Sequence, residues 1–229
     1  MKQRWESIPP TNSEQRHLPC VYVVDHSGSM EGEPIQNLND AMKHFVSEYA
    51  HNEGLMGRLD VCIISFADEV KTEVGFRPGA NYEPPELTAT GLTSLNQAIL
   101  TALDAADARI AEYEELGIRY SRPMVFLITD GYATDDQLEL TAVDKMRQYI
   151  SARRISFLPI AIGYADEQRL QKYYPDEYSH KPVPKLSYQL FKEIFSWSIP
   201  YADNCSKGIN EEFLDTMPVP SDIDIRLEL

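Results

Sequence analysis

The sequence predicts an α/β fold: a doubly wound, mostly parallel sheet with one antiparallel edge strand and helices on both faces. Three observations carry this expectation. Residues 20–24, 59–66, 123–129 and 155–162 are short continuous apolar runs, the pattern of strands buried on both faces. Amphipathic stretches of helical length separate them. Two of the runs end on aspartates, Asp25 and Asp130, where open α/β sheets gather ligands at the carboxyl ends of their strands.

The elements follow in order. Residues 20–24 form the first buried strand. A helix begins at Pro34, a favourable first-turn residue. Ile35, Leu38, Met42, Phe45, Val46 and Tyr49 repeat at helical spacing and mark its inner stripe. Residues 59–66 form a second strand, turned at 67–69 into a short alternating strand at 69–74. Residues 75–92 read as a Pro- and Gly-rich loop. A long helix is expected at 94–116, with Leu95, Ile99, Leu103, Ala106 and Ile110 inward. A strand at 123–129, a helix at 136–153, a strand at 155–162 and a short helix at 166–173 come next. The last helix, 186–198, turns Leu190, Ile194 and Trp197 to the core. Acidic runs at 112–115 and 135–136 read as solvated faces.

The 229 residues suffice for one well-buried core, and a 43% hydrophobic fraction argues against wholesale disorder. The expected division is a polar segment at 1–17, one domain at 18–198 and an extension at 199–229. Within the extension Ile223, Ile225, Leu227 and Leu229 alternate with charged residues, a strand pattern that pairs either with its own domain or with a partner's sheet. A formal charge of −15 repels phosphate backbones, so nucleic acid is a poor partner. No membrane span or signal peptide is recognisable. Three cysteines, two inside apolar runs, read as buried free thiols, and the expected compartment is the cytoplasm.

The most informative segment is Val21-Tyr22-Val23-Val24-Asp25-His26-Ser27-Gly28-Ser29-Met30. Its Asp-x-Ser-x-Ser cluster presents only oxygen ligands on a tight loop after a buried strand. Hard divalent cations prefer that donor set, Mg²⁺ first, with Mn²⁺ or Ca²⁺ as alternatives. Farther on, Gly91-Leu92-Thr93-Ser94-Leu95 opens a helix, and Thr129-Asp130-Gly131 closes a strand.

Together these three separated pieces resemble the metal-ion-dependent adhesion site (MIDAS) of von Willebrand factor A (VWA) domains. The resemblance spans residues 18–198. Within the family the chain is most similar to small bacterial VWA proteins of tellurium-resistance and related stress clusters, through the run 25–35 and Thr93-Ser94-Leu95. It implies a metal held by Asp25, Ser27, Ser29, Thr93 and Asp130. In that reading Ser27 and Ser29 bind directly, Thr93 directly or through water, and the aspartates mostly through water. A partner's Asp or Glu then completes the coordination. Two positions depart from the pattern. His26 stands where such proteins often carry threonine. Leu92 replaces a common second glycine and is expected to stiffen the loop before Thr93.

An enzyme is not expected. A phosphotransferase of the haloacid dehalogenase type needs a second Asp at position 27, which is Ser27, and His26-Ser27-Gly28-Ser29-Met30 lacks the first glycine of a nucleophile elbow. A metal-dependent hydrolase or phosphatase built on the same Asp/Ser cluster is the alternative. His17, His44, His51 and His180 are expected to be solvated or satisfied residues.

Overall fold

A computed structural model describes residues 6–10, 16–50, 57–78, 82–163, 165–181, 183–187, 191, 192 and 195. Strands β1 (Leu18–Asp25), β2 (Leu59–Phe66), β3 (Val70–Pro78), β4 (Met124–Thr129), β5 (Ser156–Ile162) and β6 (Lys185–Leu186) form one sheet. Their order is β3-β2-β1-β4-β5-β6. Only β3 runs antiparallel, against β2; β1 pairs in parallel with both β2 and β4. The predicted sheet, with its antiparallel edge, is therefore the observed one.

The helices are α1 (Glu33–Ala50), α2 (Leu95–Leu116), α3 (Glu139–Ser151) and α4 (Glu167–Gln171). All eight residues of β1 are buried, because successive side chains enter opposite cores. Tyr22 and Val24 join Phe45 and Tyr49 of α1 and Phe126 on one face, where the rings of Tyr22 and Phe126 stack at 4.9 Å. Val21 and Val23 join Leu95, Ile99 and Leu103 of α2 and Met146 of α3 on the other. These are the apolar stripes expected from helical spacing.

Several boundaries shift. β1 starts at Leu18, two residues early, and β3 runs on to Pro78, four beyond the expected strand. The stretch 136–153 divides into a 3-10 turn, Asp136–Leu138, and α3. The short helix is confined to Glu167–Gln171, started by the Asp166 carboxylate accepting the Gln168 N–H at 3.0 Å. Leu186, expected to open the last helix, instead ends β6 and pairs with Ile162. Leu190, Ile194, Trp197, Cys205 and the strand expected at 223–229 lie outside the described residues. No helix among the described residues is long and apolar enough to cross a membrane.

One inward position of α2 is charged. Arg109 is fully buried while its neighbour Ile110, expected inside, is half-buried. The reason is Asp60 on β2, which accepts from Arg109 Nη2 at 2.7 Å, from the Tyr113 hydroxyl, and from His17 Nδ1 at 3.2 Å. Burial pushes the Asp60 carboxyl up, but the His17 hydrogen bond and the Arg109 charge outweigh it and hold it below its usual range. Arg109 Nη1 also donates to Ile8 O at 2.9 Å, and Ile8 N donates to Phe76 O at 2.9 Å. The N-terminal segment is thus fastened across β3. The whole network sits at the amino end of β2, the opposite end of the sheet from Asp25 and Asp130.

Candidate metal centre

Strand order reverses at β1, whose neighbours β2 and β4 leave it on opposite sides. This is the topological switch point, where the carboxyl ends open a crevice. Asp25 ends β1, and Asp130 immediately follows β4. Topology alone therefore brings the two aspartates to the same edge.

The backbone then turns back on Asp25. Its Oδ1 accepts the Ser27 N–H at 2.8 Å and its Oδ2 the Thr129 hydroxyl at 2.5 Å. The Ser27 and Ser29 hydroxyl oxygens lie 3.1 Å apart, and Ser29 donates to Asp130 Oδ1 at 2.7 Å. Thr93 joins them over Gly131. A Cβ built at Gly131 would stand 3.3 Å from Thr93 Oγ1 and 3.5 Å from Asp25 Oδ2, so both oxygens border the small space that this glycine leaves open. The five residues expected from the sequence are thus gathered in one place. Ser29 is exposed, whereas Asp25, Ser27, Thr93 and Asp130 are buried.

Burial pushes the Asp25 carboxyl up to about 6, and the neighbouring Asp130 charge adds to this against the Ser27 and Thr129 hydrogen bonds. Two carboxylates at the edge of a nonpolar core repel each other, and a cation between them would relieve that strain. The donors are hydroxyl and carboxylate oxygens with no thiolate or imidazole, so the set fits a hard divalent ion. Among the described residues no group of three or more His, Cys, Asp and Glu side chains is placed to hold a metal ion. An ion at this place would accordingly rely on hydroxyls and only two anions.

Thr93 is placed by contacts that sequence reading missed. Gly91 adopts φ +66°, and a Cβ there would lie 1.9 Å from Asp68 Oδ2; only glycine fits. The flexibility the turn needs therefore resides in Gly91. Leu92 does not obstruct the loop but points outward, 62% exposed, with its N–H donating to Asp68 Oδ1 at 2.8 Å. On the other side, Thr93 N donates to Thr134 Oγ1 at 3.1 Å, and Thr134 N donates to Thr93 O at 2.9 Å.

Asp135 was expected on a solvated face and is instead buried. It accepts the Asn96 and Gln97 backbone N–H groups at 3.2 and 2.8 Å, the orphan donors that open α2. The sequence carries no signal for this, because Ser94, the local cap residue, makes no cap bond and donates to Asp68 O instead, so the helix start takes its acceptor from a distant loop. His26 braces the same region: Nδ1 lies 2.9 Å from Thr88 O, and its main chain bonds Phe66 O and Thr90 N.

The sequence model of the von Willebrand factor type A domain matches residues 20–183. The chain belongs to that family. A curated relative, inter alpha-trypsin inhibitor heavy chain 4 of Mus musculus, is 25% identical over 154 residues, which are 63% of this chain and 15% of that protein. Among solved structures, the pilus adhesin SpaC of Lactobacillus rhamnosus GG shares the VWA fold with a TM-score of 0.63 at 13% identity, over 83% of this chain and 31% of the adhesin. The proximal thread matrix protein 1 of the mussel byssus, solved with a zinc-occupied MIDAS motif, matches with a TM-score of 0.54 at 14% identity, over 82% of this chain and 46% of its own. The chain therefore spans less than half the length of each.

Proposed function

We infer that this VWA domain is a metal-dependent protein interaction module. It would hold Mg²⁺ and through it bind an Asp or Glu carboxylate of a protein partner. The observation that carries the reading is the convergence of the Ser27, Ser29 and Thr93 hydroxyls with Asp25 and Asp130 at the switch point. Bound there, the ion would supply a Lewis-acidic position open to an external carboxylate. Ser27, Ser29 and Thr93 are neutral donors, so the site would keep much of the cation's charge available to a partner. Asp25, Thr129 and Gly131 shape the cradle, and Asp68, Thr134 and Asp135 fix the Thr93 edge. The mussel protein's zinc-occupied MIDAS motif supports a divalent ion at this place in the fold.

Catalysis has less support. His26, the histidine next to Ser27, directs Nδ1 at Thr88 O, so that face of the ring braces a loop. The setting in which such a module would act is a bacterial stress system of the tellurium-resistance type, in the cytoplasm. The resemblance of residues 25–35 and 93–95 to that group supports it, as do the buried Cys20 and Cys62 thiols. The test is capture of proteins from cells grown under tellurite stress, with Mg²⁺ or EDTA, by wild type and by Asp130→Ala. The reading expects partners that bind only with Mg²⁺ and only to the wild type. Capture unaffected by EDTA would overturn it.

A further inference from the structure

Four large apolar side chains are strongly exposed among the described residues: Leu92, Leu116, Tyr132 and Leu140. Two of them adjoin the metal centre in the chain. Leu92 precedes Thr93 and is 62% exposed, and Tyr132 follows Gly131 and is 50% exposed. Each is anchored at one point. The Leu92 N–H is fixed to Asp68 in the β2–β3 turn. The Tyr132 ring is covered on one side by the Arg169 guanidinium of α4, 4.3 Å from the ring centre. Arg169 itself is 63% exposed and lies 3.7 Å from Asp166.

We propose that Leu92, Tyr132 and Arg169 form the specificity surface of the metal centre. Their partner is a peptide segment whose metal-seeking Asp or Glu is flanked by a large apolar or aromatic residue, with a second acidic group for Arg169. This rests on the metal-dependent reading given above. The argument is one of position, charge and rigidity. Tyr and Arg are among the side chains enriched at interface hot spots, and Leu92 adds exposed apolar area beside the same centre. The Tyr132 ring, with two side-chain torsions and the Arg169 guanidinium stacked on it, needs little ordering on binding. A carboxylate alone would not tell one acidic protein from another. The chain's own charge of −15 also repels broadly acidic surfaces, favouring a partner whose acids are few and set among apolar residues.

The test is selection of a displayed random-peptide library with one fixed central Glu on Mg²⁺-loaded protein, eluted with EDTA. The eluted pool should be several-fold enriched in Leu, Phe, Tyr or Trp beside the fixed Glu, with a second acid nearby. The Leu92→Ser/Tyr132→Ser double variant should still yield EDTA-eluted, Glu-dependent peptides but lose the apolar enrichment, and Arg169→Ala should lose the second acid. A wild-type pool without apolar enrichment, or the same enrichment with the double variant, overturns the specificity surface and leaves the metal site standing. A library that yields nothing to EDTA on the wild type overturns the underlying reading, and this proposal with it.

Discussion

The Ser29 hydroxyl donates to Asp130 at 2.7 Å although 101 positions separate the two residues in the chain. That one bond joins the loop after β1 to the loop after β4 across the switch point. It draws two of the motif's three segments together, and the third, Thr93, borders the same space over Gly131. The other two pieces lie at the ends of β1 and β4, which the sheet brings to the same edge, and the final alignment is left to side chains.

Asp25 gives the centre a pH dependence whose sign is fixed. Its folded-state value of about 6 lies above the ordinary 3.8, so the fold favours the neutral form. Without metal, the stability from this group is present below pH 3.8 and lost as pH rises through about 6, on the order of 3 kcal/mol. In EDTA, Asp25→Asn should therefore melt above the wild type at pH 8 and approach it at pH 5. Parallel melting curves across that range would show that Asp25 is not strained. With metal the dependence inverts, because protons compete for the carboxylate, and Mg²⁺ should stabilise the protein far less at pH 5 than at pH 8.

Gly131 offers a change confined to the cradle. A methyl group there would stand 3.3 Å from Thr93 Oγ1 and 3.5 Å from Asp25 Oδ2, filling the space between the ligands without clashing with backbone. Gly131→Ala should cost Mg²⁺ affinity about tenfold or more while changing the metal-free melting temperature little. Calorimetric titration and thermal melts decide it; unchanged affinity would place the ion elsewhere.

Asp135 acts on the centre through α2. Removing its carboxylate leaves the Asn96 and Gln97 N–H groups without their cap, a loss of about 1–2 kcal/mol. Because Thr93 sits three residues ahead of Asn96, Asp135→Ala should also weaken metal binding by roughly 10- to 100-fold, as loss of outer-shell support does. Asp135→Asn, which keeps an acceptor oxygen, should recover part of both. A variant that loses stability but binds Mg²⁺ normally would show the helix start and the site to be uncoupled.

Much of this was legible in the chain because parallel strands are buried on both faces and read as unbroken apolar runs. The switch point follows from that pattern, and Asp25, Ser27, Ser29, Thr93 and Asp130 carry the signature of hard oxygen ligands. What could not be read was which distant group satisfies which local need. Asp68, Thr134 and Asp135 carry no pattern of their own, since their role depends on loops meeting in space. Arg109 breaks the apolar stripe of α2 only because Asp60 waits opposite it on β2. Leu92 illustrates the same point: the conformational freedom the loop needs is supplied by Gly91, one residue earlier.

The Asp60 network should matter to the fold and not to the metal. Its carboxyl is held below the ordinary range by His17, Arg109 and Tyr113 against the effect of burial, so its contribution is present above the unfolded value and lost as pH falls. Asp60→Asn leaves the buried Arg109 only the exposed Glu112 carboxylate as counter-charge, 2.6 Å from Nη1, and should cost about 3 kcal/mol. Chemical denaturation should show that loss at pH 7 with Mg²⁺ affinity retained. An unchanged midpoint would mean that the pair contributes nothing net.

The central claim is that a divalent cation binds among these five residues, and melting temperature with and without Mg²⁺ tests it most directly. An ion that binds only the folded state stabilises it by about 2.7 kcal/mol at a hundredfold excess over its dissociation constant. The wild type should therefore melt several degrees higher with saturating Mg²⁺, while Ser27→Ala and Asp130→Ala, folded and cooperative, should show little or no shift. Equal shifts in all three proteins, or none in the wild type, would contradict the account.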